Sequence, residues 1–191
     1  DHPLQFYAVS KRTNELMAHA YSNLYGTECI GLRFFTVYGP WGRPDMALFK
    51  FTKNILEDKK IDVYNNGNHS RDFTYVDDIV EGIYLSSISK KELIDSNFDS
   101  KNPSRSFCKS IIFNLGRGKP ENLEDFIDEI ENNLGKTAKR NLMPLQPGDV
   151  PDTSADISNL KDFSGYEPKT SIKIGVKNFI DWYKEYYKVN L

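Results

Sequence analysis

The stretch ECIGLRFFTV, residues 28–37, decides the fold class of this chain. It is mostly apolar and is bounded by turn residues, which predicts a strand buried on both faces. A helix-forming segment from Leu4 to Leu24 precedes it and ends near Gly26, a residue suited to a helix C-terminus. The loop YGPWGRPD, residues 38–45, follows it. This stretch is therefore a strand that follows a helix.

Outward from this stretch, helical and strand patterns continue to alternate. Helical spacing recurs over residues 48–56, from residue 76 or 77 onward, over 123–134 and over 172–187. Strand-like runs are IDVYNNGN at 61–68, RDFTYV at 71–76 and SIIFNLG at 110–116, and a polar surface loop is expected from Lys90 to Lys109. The alternation predicts an α/β fold.

Composition narrows the classes of function. The chain has 191 residues, 39% of them hydrophobic, and a net charge of -2 with acids and bases interspersed, so neither disorder nor nucleic-acid binding is favoured. No apolar run approaches the length of a membrane span, and no signal peptide is apparent. The two cysteines and three histidines show no metal-ligand spacing. We expect a cytoplasmic protein without a metal site.

The pair Tyr7 and Lys11 is the first candidate for chemistry. Residues four apart stack on one face of a helix, and an ammonium group beside a phenol favours the phenolate. Such a pair could transfer a proton. The alternative is a half-buried aromatic ring covered by the stem of a lysine.

Four blocks in order and spacing carry a resemblance to a known family. They are YAVSKRTNELMAHAYSNLYG at 7–26, GLRFFTVYGPWGRPDMALFKFTKNIL at 31–56, RDFTYVDDIVEGI at 71–83 and LQPGDVPDTSAD at 145–156. Together they resemble the extended short-chain dehydrogenase/reductase family, and within it the nucleotide-sugar epimerases that act on UDP-glucuronic acid. The resemblance implies NAD as cofactor, a UDP-sugar as substrate and a role in polysaccharide biosynthesis.

The resemblance also implies that part of the machinery lies outside this chain. The family's glycine-rich phosphate loop has only a near match at Gly116-Arg117-Gly118, where Glu121 occupies the next required glycine position. The family's upstream Ser or Thr would precede Asp1. We therefore expect residues 1–45 to be the C-terminal portion of a Rossmann domain and 46–191 to be mainly the substrate domain, with some segments returning to the Rossmann sheet. The chain by itself is expected to be inactive.

The family roles carry over to the first group of residues as follows. Tyr7 would be the catalytic base, and Lys11 would hold the nicotinamide ribose. Phe35 would lie against the nicotinamide, and Thr36 would face the sugar. Arg43 would lie near C6 of the sugar, because a guanidinium suits a carboxylate. Core packing for Phe35 and a plain exposed loop for Arg43 are the alternatives.

The remaining substrate contacts are placed by the same resemblance. Met46 and Tyr64 would line the uridine pocket, and Arg71 would bind the diphosphate. Gln146 stands where many relatives have a phosphate-binding arginine. Asp149 would contact the ribose or the phosphate loop, or else is a turn residue after Gly148.

Three other interpretations stay open at this stage. A UDP-glucuronate decarboxylase and a nucleotide-sugar 4,6-dehydratase share the same motifs, and a non-catalytic sugar-nucleotide binding module is the alternative of another class.

The resemblance further implies a homodimer through the helix 4–24, with Met17, Tyr21 and Leu24 on one flank. Asp77 and Asp78 are interpreted as helix N-terminal carboxylates.

Overall fold

The structure is a computed structural model that describes residues 2–94 and 101–189. The helices are α1 (Phe6–Tyr25), α2 (Ala47–Leu56), α3 (Val76–Ile88), α4 (Leu123–Leu134), α5 (Ser158–Ser164) and α6 (Ile172–Tyr187). The strands are β1 (Cys29–Phe34), β2 (Thr36–Tyr38), β3 (Lys60–Val63), β4 (Ser70–Arg71), β5 (Phe73–Tyr75), β6 (Ser110–Leu115), β7 (Glu121–Asn122) and β8 (Lys139–Leu142). The predicted α/β class is confirmed.

The strands associate in pairs over the described part of the chain. Three pairs are parallel, β1 with β6, β2 with β5 and β3 with β8, and β4 pairs with β7 in the antiparallel sense. In the first pair Cys29 lies opposite Ser110 and Phe34 opposite Leu115. Parallel pairing is typical of folds in which helices and strands alternate along the chain.

Two details of the predicted strands are wrong. The strand 28–37 is interrupted at Phe35, and β1 is half-buried to exposed along its length, because β6 is its one strand partner among the described residues. The run RDFTYV is divided at Asp72, whose side chain binds backbone amides from other segments. Residues 95–100 of the predicted loop lie outside the described residues, and the sequence patterns did not predict β7, β8 or α5.

The chain divides into two compact units. The first comprises residues 1–34, 81–115 and 156–166, and the second comprises 35–80, 116–155 and 167–191. In the first unit Ile111, Phe113 and Leu115 of β6 are buried with Leu160 and Tyr166. The assignment of residues 1–45 to a cofactor-binding portion and 46–191 to a substrate-binding portion stays a prediction.

The core of the second unit is built largely from aromatic rings. Phe73 stacks on Phe126 with ring centroids 4.0 Å apart, and Tyr38 meets both rings edge-on. Phe179 and Tyr183 of α6 complete the cluster with the buried face of α2. Edge-to-face and offset contacts of this kind add to the burial of apolar area, so the strand ends that carry candidate site residues rest on a rigid base.

Candidate active site

The Tyr7–Lys11 pair lies in the first turns of α1. The Lys11 Nζ atom is 5.3 Å from the centroid of the Tyr7 ring, so the two side chains do share one helix face, as the spacing predicted. The Tyr7 side chain is 70% exposed, which differs from the half-buried ring of the alternative interpretation. A phenol and an ammonium group are thus presented together at the surface of the first unit.

An ion-pair network fixes α1 beside the end of β1. The Glu15 carboxylate accepts hydrogen bonds from Arg33 Nε at 2.6 Å and from Arg33 Nη2 at 2.8 Å, and also from the Arg12 guanidinium at 2.9 Å. These hydrogen bonds, led by the one from Arg33, hold the pKa of Glu15 below its usual value against the opposing effect of burial. The bidentate geometry orients the helix that carries Tyr7.

In the second unit a small pocket collects three of the predicted substrate residues. Thr36, Arg43 and Met46 line a cavity of about 40 Å³ at the end of β2, together with the aromatic core. Gly39 lies in the same wall, and a Cβ atom there would come within 2.7 Å of Val76, so the tight turn after β2 requires glycine. Thr36, Arg43 and Met46 thus line one pocket, while their separate roles toward the sugar and the uridine stay predictions.

Tyr38 opens the same loop and is not a second base. Burial raises its pKa far above the ordinary value, so the hydroxyl stays protonated at neutral pH. The ring packs against the core, and its hydroxyl donates weakly to the Ser171 carbonyl at 3.5 Å. Its role is to support the loop that carries Arg43.

Arg43 makes a bidentate ion pair within its own loop. Its Nε and Nη2 atoms donate hydrogen bonds to the two carboxylate oxygens of Asp45 at 3.0 and 2.5 Å, and both side chains are largely exposed. Trp41, two residues earlier, packs against Trp182 and Tyr186 of α6 with centroids 5.3 and 5.0 Å apart. The aromatic contact holds the loop while the guanidinium stays accessible.

Arg71 lies in a second cluster, on β4. Its Nη2 atom donates to Asp149 Oδ1 at 3.0 Å, and its Nη1 atom donates to the carbonyls of Ser70 and Pro151 at 3.1 and 2.5 Å. The loop that contains Asp149 is bound to β4 by the Ser70 amide, which donates to Pro151, and by Thr153, which donates back to Ser70. Two predicted site residues, Arg71 and Asp149, are therefore partners of each other.

Of the other predicted site residues, Gln146 contacts one of these clusters, through its backbone. Tyr64 begins the turn Tyr64–Gly67 after β3, and Phe35 lies half-buried between β1 and β2. Gln146 lies in the exposed loop before Asp149, where its carbonyl accepts from the Asp149 amide at 3.1 Å. Asp77 and Asp78 are in the first turn of α3, as predicted.

The sequence patterns missed Asp72, a buried carboxylate beside Arg71. Its Oδ1 atom accepts from the amide of Arg117 at 2.7 Å, and its Oδ2 atom accepts from the amides of Gly118 and Ala155 at 2.9 and 3.0 Å. The near match to a glycine-rich phosphate loop thus binds an internal carboxylate. The missed signal was an aspartate in the middle of an otherwise strand-like run.

The described residues contain neither a metal-binding cluster nor a helix suited to span a membrane. Within residues 2–94 and 101–189, no group of three or more His, Cys, Asp or Glu side chains is arranged to hold a metal ion. Over the same residues, none of the helices has the length and apolar character that crossing a membrane requires.

The α/β fold, with a Tyr-x-x-x-Lys helix before a parallel strand, is that of the short-chain dehydrogenase/reductase class. Residues 1–95 match the family described as "NAD dependent epimerase/dehydratase family". The chain belongs to this family. The resemblance seen in the sequence is therefore confirmed.

Individual relatives are similar over nearly the whole chain. Protein CapI of Staphylococcus aureus is 54% identical over 191 residues, covering 98% of this chain and 57% of that protein. UDP-glucuronate 4-epimerase 2 of Arabidopsis thaliana is 43% identical over 192 residues, covering 98% of this chain and 43% of that protein. The chain thus spans about half the length of the curated relatives it matches.

A solved structure shows the same relation. The UDP-glucuronic acid 4-epimerase of Bacillus cereus, in complex with UDP-glucuronic acid and NAD, superimposes with a TM-score of 0.83 at 32% identity. The match covers 97% of this chain and 55% of that one. The fold assigned from the sequence is confirmed by this likeness.

Proposed function

We propose that the complete gene product catalyses NAD-dependent 4-epimerisation of a UDP-sugar, converting UDP-glucuronate to UDP-galacturonate through a 4-keto sugar. The observation that carries the proposal is the exposed Tyr7 hydroxyl with Lys11 on the same helix face, in a chain whose relatives include UDP-glucuronate 4-epimerases. The 191-residue chain by itself is proposed to be inactive.

The described residues suit the nicotinamide end of NAD. Tyr7 and Lys11 of the first unit present a phenol and an ammonium group that could bind a ribose. For the phosphate end, the one near match to a glycine loop has its amides occupied by Asp72. When bound, NAD accepts the hydride from C4 of the sugar and returns it.

In this proposal Tyr7 moves the proton and Lys11 holds the nicotinamide ribose. Tyr7 takes the proton from the sugar 4-hydroxyl, and the Lys11 ammonium group lies beside its ring on the same helix face. After the 4-keto sugar has rotated to present its opposite face, the Tyr7 hydroxyl returns the proton to the 4-oxygen of the sugar. The α1–β1 ion pairs around Glu15 keep the helix in position for this transfer.

A uronic acid makes the handling of its carboxylate part of the mechanism. The 4-keto form is a β-keto acid, which loses carbon dioxide when the carboxylate aligns with the carbonyl π system. We assign Arg43, with Thr36 beside it in the same pocket, to holding the carboxylate out of that alignment. The sugar carboxylate would take the place that Asp45 now occupies on the guanidinium.

The nucleotide end of the substrate is assigned to the second cluster. Arg71 would bind the diphosphate, with Asp149 and Gln146 on the adjoining loop, while Met46 and Tyr64 would line the uridine pocket. A guanidinium is suited to bidentate phosphate recognition. Its present partner is the Asp149 carboxylate at 3.0 Å, which a phosphate oxygen resembles in charge and geometry.

The test is a binding and product assay on Arg43→Ala in the complete gene product. Affinity for UDP-glucuronate should fall by about 1.5–3 kcal/mol, the range for a hydrogen bond to a charged group, while affinity for UDP-glucose should hardly change. The variant should also release a UDP-pentose product, because the β-keto acid is no longer held out of alignment.

The matched variant is Asp45→Asn, which removes the internal competitor for the guanidinium. An exposed ion pair contributes little in water, so UDP-glucuronate should bind at most a few-fold more tightly and UDP-glucose should be unaffected. Equal losses for both sugars in Arg43→Ala would show that Arg43 does not read the carboxylate. A wild-type protein that produces a UDP-pentose would instead be the decarboxylase.

A cytoplasmic homodimer is part of the same proposal. Met17, Tyr21 and Leu24 of α1 are 55%, 57% and 69% exposed, which leaves an apolar flank on the helix proposed for pairing. Light scattering of the complete gene product at working concentration tests the dimer. A monomer under those conditions would contradict it.

A further inference from the structure

His69, which precedes β4, is buried beside the Arg71–Asp149 pair. Its side chain is 6% exposed, and its Nδ1 atom lies 3.1 Å from the Pro151 carbonyl. A carbonyl oxygen only accepts, so this contact places a proton on Nδ1. In the neutral imidazole the other nitrogen, Nε2, is then a bare acceptor.

The Nε2 atom is the unusual feature of this histidine. It is buried, has no hydrogen-bond partner among the described residues, and lies 3.7 Å from Asp149 Oδ2. A bare acceptor facing a carboxylate gains nothing from the contact, whereas a protonated Nε2 would donate to that oxygen. The Nε2 atom of His69 is therefore placed to take up one proton next to Asp149.

We propose that His69 is a positioning residue that controls, through Asp149, how freely the Arg71 guanidinium can engage a diphosphate. This rests on the proposed function of Arg71. With neutral His69, a phosphate that draws Arg71 away leaves the Asp149 carboxylate with the Val150 amide as a partner, at 2.9 Å, but with no positive charge beside it. With protonated His69, Asp149 keeps a positively charged partner, and the cluster of three side chains gains one positive charge that attracts the diphosphate.

Other charged groups on the elements around His69 have partners of their own. Glu121 of β7 pairs with Arg117 at 2.5 Å, and Glu124 at the start of α4 pairs with Arg140. Asp152, whose backbone bridges to Ser70, lies on the exposed side of the loop. Asp149 is therefore the carboxylate that a protonated His69 imidazole would contact.

The sign of the pH dependence follows from linkage. Diphosphate binding and protonation of His69 favour each other, so affinity rises as the pH falls from about 8 to about 6. UDP-glucose is the suitable probe, because its diphosphate diester keeps its charge over that range and its sugar has no carboxylate. Coupling within such networks predicts about tenfold tighter binding at pH of about 6 than at about 8.

The experiment is calorimetric titration of UDP-glucose into the complete gene product at both pH values. His69→Gln should bind equally at both, since the amide does not titrate. Asp149→Asn should also lose the pH dependence and should bind more tightly than wild type at the higher pH, because Arg71 is released. His19→Gln removes a histidine of the first unit and should keep the wild-type dependence.

Three results would overturn the inference. His69→Gln that retains the wild-type pH dependence would exclude His69 as its source. Asp149→Asn that binds more weakly at high pH would show that Asp149 contacts the ligand itself; this variant alters an exposed side chain and decides the matter even if His69→Gln fails to fold. Wild-type protein that binds neither UDP-glucose nor UDP-glucuronate at either pH would refute the proposed function, and the inference with it.

Discussion

Asp72→Asn should destabilise the second unit far more than an ordinary charge removal. Asp72 is fully buried, and its two oxygens accept from three backbone amides and from the Thr74 hydroxyl at 2.7–3.0 Å. An asparagine keeps one acceptor oxygen and replaces the other with an NH2 group. That group must face at least one N–H donor, whichever way the amide is turned.

The magnitude follows from the contacts. If the NH2 group takes the Oδ1 position, the Thr74 hydroxyl can rotate to accept, but the Arg117 amide is left without an acceptor, at about 1–3 kcal/mol. The bonds from Gly118 and Ala155 lose their charged acceptor, which costs about 1 kcal/mol each. The sum is a loss of about 3–5 kcal/mol.

Equilibrium urea unfolding of the complete gene product measures this loss. Asp181→Asn is the control, because Asp181 is exposed on α6 and pairs with Lys177 at 2.5 Å; its free energy of unfolding should change by less than about 0.5 kcal/mol. A loss below about 1 kcal/mol for Asp72→Asn would refute the reasoning, since the carboxylate would then not be holding the three segments.

Two further predictions concern the first unit. Tyr7→Phe should lower turnover by about 10²–10⁴-fold with little change in UDP-sugar affinity, because it removes a proton-transfer group and no binding charge; a steady-state assay that finds most of the turnover intact would exclude Tyr7 as the base. Glu15→Gln should make the stability of the protein depend less on pH in acid. Arg33 lowers the pKa of Glu15 in the folded state, so the Glu15 carboxylate stabilises the fold above its ordinary pKa of 4.5, and this stabilisation is lost as the pH falls further. Thermal unfolding of both proteins from neutral to acid pH tests this, and parallel profiles would count against it.

Local patterns in the sequence predicted much of the secondary structure. The helix predicted at Leu4–Leu24 is observed at Phe6–Tyr25, with Gly26 in the left-handed conformation at its end. The strand SIIFNLG and the helices α2, α4 and α6 also appear where the periodicity placed them. The Tyr7–Lys11 contact belongs to the same class, since a four-residue spacing on a helix fixes proximity by itself.

The sequence was less informative where strands depend on their neighbours. It predicted a continuous strand across Phe35, whereas the strand is interrupted at that residue, between β1 and β2. The burial of β1 depends on which strands lie beside it, and β6 is the partner found among the described residues. Apolar composition alone does not determine that number of partners.

The contacts that organise the second unit were decided by tertiary structure alone. Asp72 meets amides 45 to 83 positions away along the chain, and Arg71 meets a carboxylate 78 positions away. The sequence named Arg71 and Asp149 as separate ligand contacts, while folding made them partners and placed the unpaired nitrogen of His69 beside them. Periodicity reports which side of an element is apolar, but a buried polar atom takes its partner from whichever segment the fold brings within about 3 Å.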